Sequence, residues 1–371
     1  MIIQHARVFQ PSGVFLEQDV CVENGHFALS AGGETVDAAG CYLIPGLVDI
    51  HFHGCVGYDF CDGTQEAISA IAKYEAKHGV SAICPATMTY PESKLREISR
   101  AAAAYQTEAG GAELVGINME GPFISEAKKG AQNAAFLHAP DAEMFRRIQQ
   151  DARGLLKLVD LAPEVDGAMD CIRSLSHEVR ISLAHTGADY DTAMAAFAAG
   201  AKHVTHLYNA MPPYTHRAPG VIGAAADAAE TVELICDGVH VHPAVVRATL
   251  RMFGADRVCF ISDSMMATGL SDGEYSLGGQ AVTVRGNLAT LKNGTIAGSA
   301  TCLLDCVRTA VLKMGVPLGD AIRCASVNPA KAIGIYDRYG SIEAGKVASF
   351  VLLDANLQVK QIYMRGQALN Q

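Results

Sequence analysis

From residue 45 to residue 335 the chain alternates short apolar segments with alanine-rich stretches of helical spacing. That alternation restricts the fold more than any other feature. Parallel strands cannot be joined by tight hairpins; each pair needs a crossover, usually a helix that packs back on the sheet. The segments Leu47–His53, Ala82–Thr87, Leu114–Glu120, Leu156–Leu161, Ile181–His185, His203–His206, Val232–Cys236 and Val258–Asp263 read as strands. Helical stretches between them include Glu66–His78, Pro91–Thr107, Ala142–Asp151, Asp191–Ala199 and Pro243–Phe253. Eight such units predict an α/β fold, a (β/α)₈ TIM-like barrel. A doubly wound open sheet is the competing architecture, but it does not usually gather polar residues at so many strand ends.

The two ends of the chain differ from its middle. Ala6–Phe9, Asp19–Val22 and Gly25–Leu29 near the start, and Phe350–Leu353 and Val359–Met364 near the end, read as strands. Residues 1–44 and 336–371 are therefore expected to build one small β-sandwich domain, leaving 45–335 as the catalytic barrel. Residues 274–295 read as two or three strands, with turns at Gly278-Gly279 and Asn293-Gly294, inserted after strand eight to cap the barrel mouth. No run approaches the ~20 apolar residues that span a bilayer, and no secretion signal is expected at the N-terminus. Eleven cysteines without CxxC pairs suit a reduced, cytoplasmic protein better than a disulfide framework. Cys55, just beyond the paired histidines, is read as a small packed residue. A net charge of -10 argues against wholesale nucleic-acid binding but leaves room for a small anion held by a few local cations.

Polar residues then recur at the expected strand ends. In a strand, side chains two apart share a face, so His51 and His53 converge at the exit of strand one. Strand three ends in Glu120, strand five in His185, strand six in His206 and strand eight in Asp263. Any one of these alone reads as an ordinary hydrogen-bonded buried residue. Six of them at five strand ends, all directed to the mouth of a barrel, point to a metal site. Four imidazoles and two carboxylates suit Zn²⁺ most, and also Fe²⁺ or another divalent ion.

This arrangement resembles the amidohydrolase superfamily. The segments Met119-Glu120-Gly121-Pro122-Phe123, Ala162-Pro163-Glu164, Thr205-His206-Leu207-Tyr208-Asn209-Ala210-Met211, Asp237-Gly238-Val239-His240-Val241 and Ala297-Gly298-Ser299 are similar to those of the N-acetylglucosamine-6-phosphate deacetylase family, nearly end to end. The resemblance implies that Glu120, His185 and His206 hold the principal metal and that His51 and His53 allow a second, giving one or two ions per subunit. It implies Asp263 as general base and then acid, and Gln132, Asn209, Ala210, Arg217 and His240 as substrate contacts. Arg217 matches an arginine that grips the phosphate across a dimer interface, which implies a homodimer. Gln132 stands where the family often has histidine; glutamine can donate an N–H but cannot become cationic. Gly298 and Ser299 are expected in a tight loop against the acetyl group.

The implied reaction is hydrolysis of N-acetylglucosamine 6-phosphate to glucosamine 6-phosphate and acetate. The galacto epimer, which differs at one hydroxyl, is an alternative substrate. A cyclic-amide hydrolase or deaminase is a further alternative; such enzymes commonly use a carboxylated lysine on strand four, whereas Lys157 lies near the start of that strand. A non-catalytic scaffold conflicts with the intact set of six.

Overall fold

The computed structural model describes residues 1–370; Gln371, the last residue of the expected terminal domain, lies outside the described residues. The parallel strands of the middle are β1 (Leu47–Asp49), β2 (Val80–Ile83), β3 (Ile117–Phe123), β4 (Leu156–Leu161), β5 (Arg180–Leu183), β6 (His203–Val204), β7 (Thr231–Ile235) and β8 (Val258–Ile261). Strands β3 to β8 form one parallel sheet in chain order. In a second sheet β2 lies between β1 and the short strand Glu113–Leu114. A parallel bridge between Ala86 and Asn118 links β2 to β3. At the other end, the Asp263 N–H donates to His51 O at 3.0 Å and the His53 N–H to Ser264 O at 2.7 Å.

Alternation sets what each strand buries. On β8, Val258 and Phe260 join the large core shared with the helices, whereas Cys259 and Ile261 join an inner cluster with Val48, Ile50, Ala82, Cys84, Leu158 and Ile235. Ala330, Ile333 and Tyr339, later in the chain, belong to the same inner cluster. The sides of β4 and β7 that turn away from the helices also carry Asp160 and Glu233, both fully buried. Helices follow the strands as their spacing predicts: Gln65–Lys77, Glu92–Ala104, Ala142–Asp151, Tyr190–Ala199 and Pro243–Phe253. Four start from capping side chains, Thr64, Asp141, Asp189 and His242, that accept from first-turn N–H groups. No helix among the described residues is long and apolar enough to cross a membrane.

Both ends of the chain enter one eight-stranded sheet. It includes Ile2–Phe9, Phe15–Glu23, His26–Ala28 and Tyr42–Pro45 from the start, and Phe350–Leu353 and Val359–Met364 from the end. The sheet curls. The Phe27 N–H donates to Lys346 O, the Ala348 N–H donates to Gly25 O, and the Phe27 and Phe350 rings lie 6.0 Å apart although several strands separate them in the sheet. Where a β-sandwich is expected, the pairing is thus that of a single curled sheet around its own core of Ile3, Val8, Val22, Leu43 and Leu352.

The insertion is a four-stranded antiparallel meander, Gly273–Leu277, Gln280–Arg285, Leu288–Leu291 and Ile296–Ser299. Its first turn is Gly278-Gly279, with both residues at positive φ, as a two-residue hairpin loop requires. The last strand is stitched to the segment after β8: the Ser299 N–H donates to Asp263 O at 2.7 Å and the Met265 N–H donates to Ser299 O at 2.9 Å. A Cβ on Gly298 would stand 3.0 Å from Asp263 O, so only glycine allows this approach without displacement.

Candidate metal centre

Glu120 is the hub of the site. It lies within β3, which runs on to Phe123 rather than ending at the carboxylate. His185 Nε2 and His206 Nε2 each stand 3.0 Å from Glu120 Oε1. His51 Nε2 lies 3.4 Å from the same oxygen, and His53 Nε2 3.5 Å from Oε2. Asp263 Oδ1 closes the ring, 3.3 Å from His53 Nε2 and 3.8 Å from His51 Nε2. All six side chains are buried. Two overlapping triads could each hold an ion, His51–His53–Glu120 and Glu120–His185–His206.

The local route to this cluster differs from the expectation of histidines at strand ends. β1 stops at Asp49, so His51 and His53 lie beyond the strand; β5 stops at Leu183, β6 at Val204 and β8 at Ile261. Simple alternation would place His185 with Ile181 and Leu183, and His206 with Val204, on the side that packs in the helix-facing core. Instead His185, His206 and Asp263 adopt left-handed backbone, with φ of 44°, 27° and 49°. Such conformations cost L-residues about 1–2 kcal/mol each. They persist where surrounding contacts over-determine them, which is common at functional sites.

A bound divalent ion fits the residues present. All four imidazoles turn Nε2 toward Glu120. His51 Nε2 is buried with no hydrogen-bond partner among the described residues. His51 Nδ1 lies 3.0 Å from Glu233 Oε2, and His185 Nδ1 lies 2.9 Å from Lys128 O. A proton held at Nδ1 by such acceptors leaves the Nε2 lone pair for a metal. Burial works against ionisation of Glu120, but the nearby His51 and the hydrogen bonds of His185 and His206 hold its carboxyl well below the usual range. For Asp263 burial likewise opposes, and the hydrogen bond with His53 and the charges of the surrounding imidazoles prevail, so its carboxyl is also held down. An ionised Asp263 can accept a proton.

The centre opens into a cavity of about 570 Å³. His53, Glu120, Gln132, His185, His206, Asn209, Ala210, His240 and Asp263 all line it. Arg217 does not: it lies on an exposed loop, its Nη1 2.7 Å from His216 Nε2, beside a separate surface depression with Pro212, Pro213 and Tyr190. Gln132 reaches the cavity already engaged. Its Nε2 donates to Glu120 Oε2 at 2.7 Å, and its Oε1 accepts from the Thr89 N–H at 2.7 Å. His240 is held by Asp237, Nδ1 to Oδ2 at 2.7 Å. Burial lowers its pKa, but the hydrogen bond and charge of Asp237 raise it further, to a net upward shift. Gly298, Thr295 and Asn293 of the meander wall the far side, and Gln280 Nε2 donates to Ala131 O, tying the meander to the loop that carries Gln132. Cys55 is fully buried, as expected of a packed residue.

Sequence reasoning missed four contributors. Lys128 and Lys129 also line the cavity and bring cationic side chains to it. Glu233 and Glu164 support the site from behind: Glu164 accepts from Thr186 Oγ1 and the Gly187 N–H, both at 2.5 Å, next to His185. The only available signal was an acidic residue in an apolar strand at Glu233, and Ala162-Pro163-Glu164 among the matching segments. Lys157 is the second residue of β4 and lines a depression with Gly154 and Lys331, away from the centre.

Residues 42–369 match the amidohydrolase family. The chain is 40% identical over 330 residues to N-acetylglucosamine-6-phosphate deacetylase of Bacillus subtilis, covering 87% of this chain and 83% of that protein. It is 36% identical over 328 residues to N-acetylgalactosamine-6-phosphate deacetylase of Escherichia coli O157:H7, covering 88% and 87%. Among solved structures it is similar to a mutant N-acetyl-D-glucosamine-6-phosphate deacetylase from Mycobacterium smegmatis in complex with N-acetyl-D-glucosamine-6-phosphate, with a TM-score of 0.93, 31% identity and coverage of 99% of this chain and 98% of that one.

Proposed function

The chain belongs to the amidohydrolase family, and we propose that it hydrolyses the acetamide of N-acetylglucosamine 6-phosphate to glucosamine 6-phosphate and acetate. The observation that carries this reading is Glu120 shared by four imidazoles beside Asp263, at the floor of a cavity, in a chain so similar to enzymes of that name. Closure of the parallel strands into one barrel is supported by the Ala86–Asn118 bridge and by the hydrogen bonds between residues 51–53 and 263–264. The division into a barrel of residues 45–335 and a terminal domain of 1–44 and 336–371, whose one curled sheet would supply both layers of the expected β-sandwich, is part of the same reading.

In this reading Glu120, His185 and His206 hold one ion, and His51 and His53 with Glu120 hold a second when it binds. Zinc suits the nitrogen-rich donor set best. When bound, the ion polarises the acetamide carbonyl and makes water a better nucleophile near neutral pH. Asp263 takes one proton from the attacking water and returns it to the leaving nitrogen as the C–N bond breaks, so the amine departs neutral and the acid product becomes acetate by releasing water's second proton to solvent. The lowered pKa of Asp263 keeps it ionised and so able to accept a proton. His240, Asn209 and Ala210 orient the sugar along one wall. The phosphate is met by Arg217 of the neighbouring subunit in a homodimer. Gln132, engaged with Glu120 and Thr89, contacts substrate only through what remains of its amide. The similarity to an N-acetylgalactosamine-6-phosphate deacetylase makes N-acetylgalactosamine 6-phosphate the second reading.

The test is acetate release by the purified protein from N-acetylglucosamine 6-phosphate, its galacto epimer and the unphosphorylated sugar, before and after chelation and Zn²⁺ add-back. Turnover of a phosphorylated sugar that is lost on chelation and returns with metal is expected. Activity indifferent to chelation would remove the metal reading, and absence of turnover with metal bound would remove the substrate assignment.

A further inference from the structure

Directly behind the imidazoles lies a carboxylate that the reaction itself does not use. Glu233, in the middle of β7, is fully buried. Its Oε2 lies 3.0 Å from His51 Nδ1 and accepts the His206 N–H at 3.0 Å. Its Oε1 lies 3.1 Å from His203 Nε2, and His203 Nδ1 is 2.6 Å from Thr231 Oγ1. The only other hydrogen-bond partner of His51 Nδ1 among the described residues is Asn118 Nδ2, 3.4 Å away, which is a donor and cannot accept the imidazole proton. Glu233 is therefore the group able to hold the His51 proton at Nδ1. The two histidines of the His51–His53 pair differ in this respect, since His53 Nδ1 is buried without a partner among the described residues.

We infer that Glu233 is a positioning residue of the metal centre, fixing the His51 tautomer and ring orientation that present Nε2 to the His51–His53–Glu120 triad. The inference rests on the metal reading above. It makes occupancy of that triad depend on a strand-seven side chain that touches neither ion nor substrate. Carboxylate support of a ligating histidine typically changes metal affinity by about 10–100-fold. A carboxylate buried only to pair with His203 would leave the affinity unchanged.

The test compares Glu233→Gln, His51→Ala and the double variant, each stripped by chelation and titrated with Zn²⁺ against a chromophoric competitor. Visible absorption of the Co²⁺-loaded proteins serves as a second readout. Glu233→Gln is expected to weaken Zn²⁺ binding about 10–100-fold and to alter the same Co²⁺ bands that His51→Ala alters. In the His51→Ala background it is expected to add nothing, because the two act in series. Wild-type affinity in Glu233→Gln, or an equal loss with and without His51, would overturn the inference while leaving the metal centre intact. Failure of the wild-type protein to bind either ion would overturn the metal reading and this inference with it. Should Glu233→Gln not fold by circular dichroism, Glu233→Asp, which keeps the charge and withdraws it by one methylene, is read in the same way.

Discussion

At the residue scale, the site depends on three non-glycine residues held in left-handed backbone. His185 and His206 follow strands whose alternation would turn them toward the helices, and the positive φ turns each imidazole back to Glu120. Asp263 is held the same way, and its backbone is fixed on both sides by His51 O and the Ser299 N–H. This geometry makes Asp263 the residue whose chemistry can be removed with least structural damage. Asp263→Asn is expected to lower kcat by about 10²–10⁴-fold, the usual contribution of a general acid–base. The thermal melt should move little and a metal ion should still bind. Residual activity near wild type, measured as acetate release, would exclude Asp263 from proton transfer. The type and number of these residues were legible in the sequence, whereas the backbone turn that aims them was not, because a non-glycine left-handed residue carries no compositional mark.

At the element scale, the helix Gln65–Lys77 carries an anomaly. Glu75 is fully buried, and neither carboxyl oxygen has a hydrogen-bond partner among the described residues. Burial, with a smaller push from Asp49, raises its pKa well above the ordinary value. In the unfolded chain the same carboxyl ionises near its ordinary value of 4.5. Folding therefore takes up a proton above that pH, and stability falls as pH rises until the folded carboxyl itself ionises. The slope is at most about 1.4 kcal/mol per pH unit. Glu75→Gln should erase this dependence, matching wild type near pH 5 and exceeding it in melting temperature at pH 8. A constant difference between the two proteins at both pH values would show that Glu75 does not titrate on folding. The strands and helices themselves were largely readable from the sequence. Their ends were less so: β5, β6 and β8 stop two residues short of the functional side chain, and β3 runs three residues past it.

At the scale of the whole molecule, one chain does not bring Arg217 to the cavity. If Arg217 serves the neighbouring subunit's site, two inactive variants should rescue each other. Arg217→Ala keeps Asp263 but lacks the arginine, and Asp263→Asn keeps the arginine but lacks the base. Mixing the two under subunit exchange should restore a share of wild-type kcat/KM, since a mixed dimer contains one complete site. Failure of rescue, with exchange verified by mass, would place Arg217 in its own chain's site or outside catalysis and turn attention to Lys128 and Lys129, which line the cavity. The meander 273–299 acts at this scale as well, closing one wall of the cavity while bonding to the loop of Asp263.

The sequence by itself determined the class of the fold and the identity of the chemistry. Alternating apolar and helical segments leave few architectures other than parallel strands covered by helices, and four histidines with two carboxylates are not explained by packing. Tertiary structure alone decided how these parts meet. Strand ends separated by up to 212 positions, as His51 and Asp263 are, converge because the parallel sheets bring their carboxyl ends to one face. The curling of the terminal sheet, the engagement of Gln132 with Glu120, and the support of His51 by Glu233 are contacts between distant segments. Local pattern is written by which residues must be buried, whereas the partner of a buried polar atom is set by which strand lies beside it, and no single segment contains that information.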